Sequence, residues 1–432
     1  MKRFDVIVVG AGPAGLSAAV AACGAGRTVL LLDAAARPGG QFWRHRPGSP
    51  PPALQRLLAR LGRVDYRPGS PVWFVEPGFG VHTPDTSYEG AHLVLATGAY
   101  DRVIPFTGWD LPGVVTAGGA QALLKGQGVV IGRRVVVAGA GPFLLPVAVG
   151  LARAGVSVAG VFEAGRPSRY LRHASALPKA VEACGYGMSL LRHRIPYRTG
   201  QVVTAAHGDR RLEAVTAGGR TIECDALAIG FGFTPQIELA VALGCRTTLD
   251  SDGSLVVSGT VPGVFVAGEI TGVGGAALAV VEGTIAGLAA AGRPVPARLL
   301  RRRESLRRFA SAMATVHPVP RLDCGDDVIV CRCEGITAGE VRSAVTALGV
   351  VDTRGAKLMA RTGMGWCQGR VCGHATAGLT ARALGREVTA SDLATFAHRP
   401  IAQPVTLGEM SCEMSCEMSW PPAATGGHDR AV

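Results

Sequence analysis

VIVVGAGPAG, residues 6–15, governs how the rest of this 432-residue chain is read. Val6 to Val9 is a β-branched apolar run suited to a buried parallel strand. It runs directly into Gly10-Ala11-Gly12-Pro13-Ala14-Gly15, and Leu16 to Ala25 follows as a helix of small residues. The spacing gives the glycines separate tasks: a tight turn at Gly10, close approach of a pyrophosphate at Gly12, and helix–strand packing at Gly15. Free N–H groups and the positive dipole end of the helix then face the phosphates. A second strand, Thr28 to Leu32, ends at Asp33, placed to accept hydrogen bonds from the ribose of an adenine dinucleotide. Strand, glycines, helix, strand and acid in this order outweigh an incidental glycine-rich turn.

The length predicts about three domains. The 44 Lys and Arg against 32 Asp and Glu give a formal charge of +12, which could draw nucleic acid or a membrane surface. The basic residues are scattered, however, and aromatic residues at 5% are too few for stacking platforms, which argues against nucleic acid. Met1-Lys2-Arg3 before an apolar run imitates an export signal, but Asp5 and the glycines inside that run argue against it. The uncharged stretch Val135 to Ala152 carries glycines and a proline and reads as strand, turn and helix, not as a membrane span. Eleven cysteines, unevenly placed, favour reduced thiols and metal ligation over a disulfide framework. A cytoplasmic location is expected. The arginine-rich run Arg298 to Arg308 leaves room for peripheral association with the inner face of a membrane, although a solvated helical face is the plainer reading.

Further along, Arg37-Pro38-Gly39-Gly40-Gln41 is a loop able to lie along a dinucleotide. A second fingerprint follows the strand Val135 to Ala138: Gly139-Ala140-Gly141-Pro142-Phe143-Leu144. Its third position is Leu144, so its helix–strand geometry must differ. Glu163, ending the strand Val156 to Phe162, suits a free ribose 2′-hydroxyl, while Arg166 and Arg169 keep a 2′-phosphate open. This site either binds NAD or another adenine nucleotide or is structural. Arg211 to Cys224 reads as a hairpin across Ala217-Gly218-Gly219. Near the far end, Cys331-Arg332-Cys333 and Cys367-Gln368-Gly369-Arg370-Val371-Cys372 form a C-x-C and a C-x4-C pair. Four thiolates in two close pairs can ligate a [2Fe-2S] cluster, with zinc the rival. Helix-like segments after each pair, Thr337 to Leu348 and His374 to Leu384, would stabilise thiolate charge at their N-termini, and Arg332, Arg361 and Arg370 add positive charge.

This order of motifs resembles the two-dinucleotide-binding-domain flavoproteins of the glutathione reductase-like class over roughly residues 1–295. The resemblance implies an α/β fold of two Rossmann-like dinucleotide-binding domains with FAD in the first. It implies that Ala96-Thr97-Gly98 closes the first fold beside the flavin. It also implies that the strand Gly263 to Ala267 returns, bringing Gly268 and Glu269 towards ribityl and pyrophosphate. Aspartate is usual at the latter position, and a plain helix-capping acid is the other reading of Glu269. The dithiol of that class's disulfide reductases is missing: Cys184, Cys224 and Cys245 stand alone. The cysteine pairs resemble the bacterioferritin-associated-ferredoxin-like [2Fe-2S] domain, small and mainly helical, which favours iron–sulfur over zinc.

Residues 96–102 (ATGAYDR), 105–121 (PFTGWDLPGVVTAGGAQ) and 362–373 (TGMGWCQGRVCG) together look like the FAD and iron–sulfur subunit of multicomponent amine and amino-acid dehydrogenases. That group includes hydrogen cyanide synthase, the opine oxidases, D-hydroxyproline dehydrogenase and dye-linked L-proline dehydrogenase. The resemblance implies a D-amino-acid-oxidase-like flavoprotein partner that oxidises a C–N bond, and a quinone or other acceptor. A further candidate partner is a small ferredoxin-like subunit. A self-sufficient NAD(P)H-dependent reductase and a non-catalytic scaffold are the alternatives. The expected domains are 1–122 with 258–295 (FAD), 123–257 (second nucleotide fold), 296–325 (basic linker) and 326–390 ([2Fe-2S]). A partly disordered tail, 391–432, carries the tandem repeat that begins at Glu409-Met410-Ser411-Cys412 and includes Cys416.

Overall fold

The N-terminal apolar run forms the strand Lys2–Val9, paired in parallel with Val29–Asp33 on one side and Ser87–Leu95 on the other. These strands are buried on both faces, which explains why they read as continuous apolar runs rather than alternating ones. In this computed structural model, which describes residues 2–172, 180–320, 324–399 and 401–414, they belong to a seven-stranded sheet. The strand Val264–Val266 joins the same sheet by pairing Val264 with Leu93, so the first domain is made from two separated pieces of chain. Helix Pro13–Gly24 packs against helix Ala276–Ala290. A side chain at Gly283 or Gly287 would strike the carbonyls of Ala14 and Ala18, which accounts for the small-residue composition of both helices.

The second domain is a five-stranded, all-parallel sheet in the order 197–199, 157–163, 134–139, 226–230, 114–116. The predicted hairpin forms as strands Ala214–Ala217 and Arg220–Glu223 of a separate three-stranded sheet. The chain passes between the domains as a two-stranded antiparallel ribbon, Ala99–Asp101 against Phe233–Pro235. Both crossings therefore come earlier in the chain than the expected boundaries of 122 and 257. Val114–Thr116 already belongs to the second sheet. Ile237, Leu239, Leu255 and Val257 already share the first domain's core with Ile7 and Leu30.

The expected basic linker is one continuous helix, Ala297–Val316. It is not solvated all round. Arg307 and Arg303 reach the buried Glu282 at 2.6 and 3.2 Å, and Ala312 and Val316 are buried. The C-terminal domain contains a short hairpin, Ile329–Cys331 with Ile336–Thr337, and helices Ala338–Thr346, Thr353–Ala360, Gly373–Ala383 and Ala390–Ala397. Its core merges with that of the second domain, where Phe106, Val215 and Val330 share one cluster. Trp109 Nε1 donates to the Ile329 carbonyl at 2.6 Å across the junction. Helix Ala390–Ala397 crosses the boundary expected at 390; its Asp392 accepts from Thr353 and Arg386, and Ala397 and Ala402 enter the first domain's core. The part of the tandem repeat beyond residue 414, Cys416 included, lies outside the described residues. No helix among the described residues is long and apolar enough to cross a membrane.

Candidate functional site

A cavity of about 2610 Å³ runs from the first glycine loop to the second. Gly10, Gly12, Pro13, Ala14, Asp33, Gly40, Gln41, Ala96, Thr97, Gly98, Gly268 and Glu269 all line it. Gly15 stands behind the wall, where a side chain would strike the Gly10 carbonyl. Gly12 caps the first helix and Pro13 opens it, so the unpaired N–H groups of the first turn face the cavity. Asp33 accepts from Ala11 N at 2.5 Å and Ala35 N at 2.7 Å; burial pushes its carboxyl up, opposed by these same N–H groups. The Ala96–Gly98 turn is tied to the returning chain, with Thr97 Oγ1 donating to the Gln236 carbonyl and Gln236 N to the Gly98 carbonyl. A helix N-terminus, an acid at the adjoining strand end and the returning stretch at Gln236 form a set of donors and acceptors that fits FAD.

Glu269 is turned differently from the expected approach to ribityl and pyrophosphate. Its carboxylate accepts from Gly274 N at 3.2 Å and Gly275 N at 3.0 Å, in the turn that leads into helix Ala276–Ala290. Burial pushes it up to about 7, against the pull of those two N–H groups and Arg307. The neighbouring Gly268 N donates instead to Glu282, at 3.2 Å.

The second fingerprint is built otherwise. Its helix begins only at Leu144, beyond Gly141 and Pro142, whereas the first begins immediately after Gly12. The Leu144 side chain fills space beside the bare Gly230. Gly141 and Pro142 line the cavity, and Gly139 closes the turn behind them, accepting from Ala164 N. Glu163 is fully buried, and its oxygens accept from Gly141 N at 3.1 Å and Gly165 N at 2.7 Å. His317, at the end of the linker helix, sets Nδ1 3.2 Å from Glu163 Oε1, and Tyr170 lies against both His317 and Phe309. Glu163 is thus covered on its Oε1 side by this chain's own His317. Arg166 turns its side chain towards Gly200.

The four cysteines converge. The Cys372 thiol hydrogen-bonds both Cys331 and Cys367, and Cys333 contacts Cys367. Those Cys372 hydrogen bonds are the largest influence on their acceptors. With added backbone N–H donors from Gly363, Glu334 and Cys333, Cys331 falls to about 6. With donors from Val371 and Gly369, and the Cys333 thiol, Cys367 falls to about 4. Cys372, donor to both, is pushed up. Cys333 is also raised: the Cys367 N–H, its largest influence, pulls it down, but burial and the neighbouring thiolates outweigh it. Among the described residues no group of three or more His, Cys, Asp or Glu side chains is set to hold one metal ion. Pairwise thiol contacts with N–H groups aimed at sulfur fit a thiolate-bound cluster, whose charge such donors stabilise.

The arginines divide. Arg332 reaches away to the Asp110 carbonyl and lies over Trp109, and Arg361 pairs with Glu334 at 3.4 Å. Arg370 turns inward: Nε donates to Tyr100 Oη at 2.8 Å and stands 3.2 Å from Glu238, and Nη1 reaches the Cys367 carbonyl at 3.4 Å. Tyr100 lines the dinucleotide cavity, so one guanidinium joins cysteine loop to cavity wall. Phe396 lies under that loop, so close that a side chain at Gly363, Gly369 or Gly373 would meet its ring. The sequence reading missed Tyr100, Glu238, His317 and Phe396 as site residues. Only Phe396 had a local signal, the Thr389-x-x-Asp392 capping box that opens its helix.

The sequence matches the family described as pyridine nucleotide-disulphide oxidoreductase over residues 4–291, and the BFD-like [2Fe-2S] binding domain over residues 329–382. It is 33% identical to an opine oxidase subunit of Rhizobium meliloti (strain 1021), across 95% of this chain and 99% of that one. It is 32% identical to hydrogen cyanide synthase subunit HcnB of Pseudomonas aeruginosa, across 88% of this chain and 93% of the other. In fold it is similar to the crystal structure of L-proline dehydrogenase from P. horikoshii, with a TM-score of 0.69 at 22% identity, covering 95% of this chain and 80% of that chain. The chain therefore belongs to the FAD-dependent pyridine nucleotide-disulphide oxidoreductase family, within the group of amino-acid dehydrogenase-type subunits that includes HcnB and its opine oxidase counterpart, and carries a BFD-like [2Fe-2S] domain.

Proposed function

We propose that this chain is the electron-relay subunit of a hetero-oligomeric dehydrogenase or oxidase acting on the C–N bond of an amino acid, imino acid or opine. Electrons arrive from a D-amino-acid-oxidase-like flavoprotein partner and leave to a quinone or another acceptor. When bound, FAD supplies redox chemistry in one- or two-electron steps, and the cluster supplies one-electron transfer. The chain's own residues hold and connect the two. Gly10, Gly12, Pro13 and Ala14 present the helix N-terminus to the pyrophosphate, Gly15 lets that helix seat, and Asp33 receives the ribose. Gly40, Gln41, Ala96, Thr97, Gly98, Gly268 and Glu269 enclose the remainder. Cys331, Cys333, Cys367 and Cys372 ligate the cluster.

The observation that carries the reading is Arg370, bonded to the Cys367 carbonyl on one side and to the cavity residue Tyr100 on the other. A second observation favours the relay over an NAD(P)H-dependent reductase. Glu163, the acid that would read a nicotinamide dinucleotide's ribose, is sealed by His317. On this reading Gly139, Gly141, Pro142 and Glu163 serve structure. Anaerobic addition of NADH to the purified holo-chain tests it. The flavin absorbance is expected to stay unchanged with NADH and to bleach with a substrate-loaded partner subunit. Rapid bleaching by NADH alone would overturn the relay-only assignment.

A further inference from the structure

The relay needs an exit, and the surface above the cysteine loop has the properties of one. Leu358, Met359, Met364 and Trp366 are all exposed, and they follow one another along a single stretch of chain that ends at Cys367. Trp366 is 75% exposed, unusual for a side chain that gains so much from burial. Cys333 is exposed, and Gly365 lies directly against its Cβ, so the apolar stretch borders the one exposed thiol of the four. Arg354 is exposed beside this stretch and Lys357 is half-buried in it. Arg361 stays 67% exposed although paired with Glu334. Glu334 offsets Arg361, and Asp352, which caps helix Thr353–Ala360 by accepting from Gly355 N, offsets one of the two charges of Arg354 and Lys357. The rim is therefore net positive around an aromatic and methionine centre. That is the composition of a protein interface whose rim selects a partner of opposite charge.

We propose that this face docks an acidic one-electron carrier protein, with Trp366 and Met359 as the anchors and Arg354 and Arg361 as the steering charges. The inference rests on the relay reading, and it adds the site of exit and the charge of the acceptor. In the step itself one electron leaves the reduced cluster and enters the carrier's oxidised centre, with no bond made or broken and no proton moved. Docking here brings the carrier against the exposed Cys333, the shortest way out of the cluster through protein.

The test uses the full-length holo-chain with its cluster reduced chemically, so that a failure of flavin-to-cluster transfer does not affect the result. Two haem proteins serve as probes: cytochrome b5, which is acidic, and cytochrome c, which is basic. Binding is read by surface plasmon resonance and electron transfer by the haem absorbance. Cytochrome b5 is expected to bind and be reduced in a salt-sensitive manner, and cytochrome c to do neither efficiently. Trp366→Ser and Met359→Ser should each weaken cytochrome b5 binding on the order of tenfold, as loss of a central anchor does. Arg354→Glu should slow association and flatten the salt dependence. Cluster spectra and reduction of a small neutral quinone should be unchanged in all three, showing that the cluster is intact. Equal or better binding of cytochrome c would overturn the proposal, as would Trp366→Ser variants that bind cytochrome b5 normally. Sedimentation showing that wild type self-associates through this face, and that Trp366→Ser abolishes it, would assign the face to a second copy and equally overturn it.

Discussion

Arg307→Met tests whether the linker helix is part of the flavin cavity's frame. Glu282 is 4% exposed, and its two oxygens receive Arg307 through Nη2 at 2.6 Å and Nε at 3.0 Å, Arg303 at 3.2 Å, Thr271 Oγ1 at 2.9 Å and Gly268 N at 3.2 Å. Breaking a buried pair on one side costs roughly 3–5 kcal/mol, because a charge is left without its counter-ion. Arg303, which stays, is half exposed and screened, so the loss belongs near the lower end, about 3 kcal/mol. Melting should fall by roughly 5 °C or more. Because Gly268 and Glu269 line the cavity, FAD retention on gel filtration should fall as well. Arg307→Met combined with Glu282→Met removes the stranded charge and should recover much of the loss. Arg308→Met, whose i,i+4 pair with Glu304 is exposed on both sides, should be nearly silent. If Arg307→Met melts with wild type and keeps its flavin, or if the double substitution is additive, Glu282 is not held as described.

Three further outcomes are expected. Cys367→Ser should lose iron and acid-labile sulfide together, by chemical analysis, while Cys224→Ser, a buried lone thiol whose side chain burial pushes up to about 11, should retain both. Arg370→Met should lower the cluster's midpoint potential, since a cation that favours the extra electron is removed, and should slow flavin-to-cluster transfer in stopped flow; an unshifted potential would place Arg370 outside the cluster's field. The third concerns Glu269 in flavin-free protein. Its folded value of about 7 lies above the ordinary 4.5, so the folded state holds a proton that the unfolded chain has released. The contribution of Glu269 to stability is therefore complete below about 4.5 and is lost as pH rises to about 7, roughly 3 kcal/mol in full. Glu269→Gln should flatten that slope in urea titrations across this range, leaving the two proteins alike at the acid end.

What could be read in the sequence was local. Gly10 to Asp33 declared strand, turn, helix and acid within one short stretch, and Cys331 to Cys372 declared a thiolate site by spacing alone. Leu144 correctly signalled a second fold of altered geometry. The missed features are contacts between distant parts of the chain. Arg370 and Tyr100 are 270 residues apart, and nothing near either marks the other. His317 lies beyond the arginine-rich run with nothing in the sequence to mark it, and only the packing of helix Ala297–Val316 carries it onto Glu163. Domain boundaries were misplaced for a similar reason, since the crossing ribbon is defined by the pairing of Tyr100 with Thr234 and not by composition. Glu269 was open to two readings, and backbone N–H groups at the start of the next helix decided where its oxygens point.

The linker helix has a mechanical consequence. Its middle is held to Glu282 through Arg307 and Arg303, beside the first glycine loop, and its C-terminal end meets Glu163 of the second domain through His317. The crossing ribbon between the domains would by itself permit rotation, but a strap fastened on both sides removes that freedom. On the proposed relay, internal electron transfer then needs no domain rotation, so its rate should be indifferent to viscogens such as sucrose or glycerol, whereas the rate of handover to a separate protein should fall as the solvent thickens.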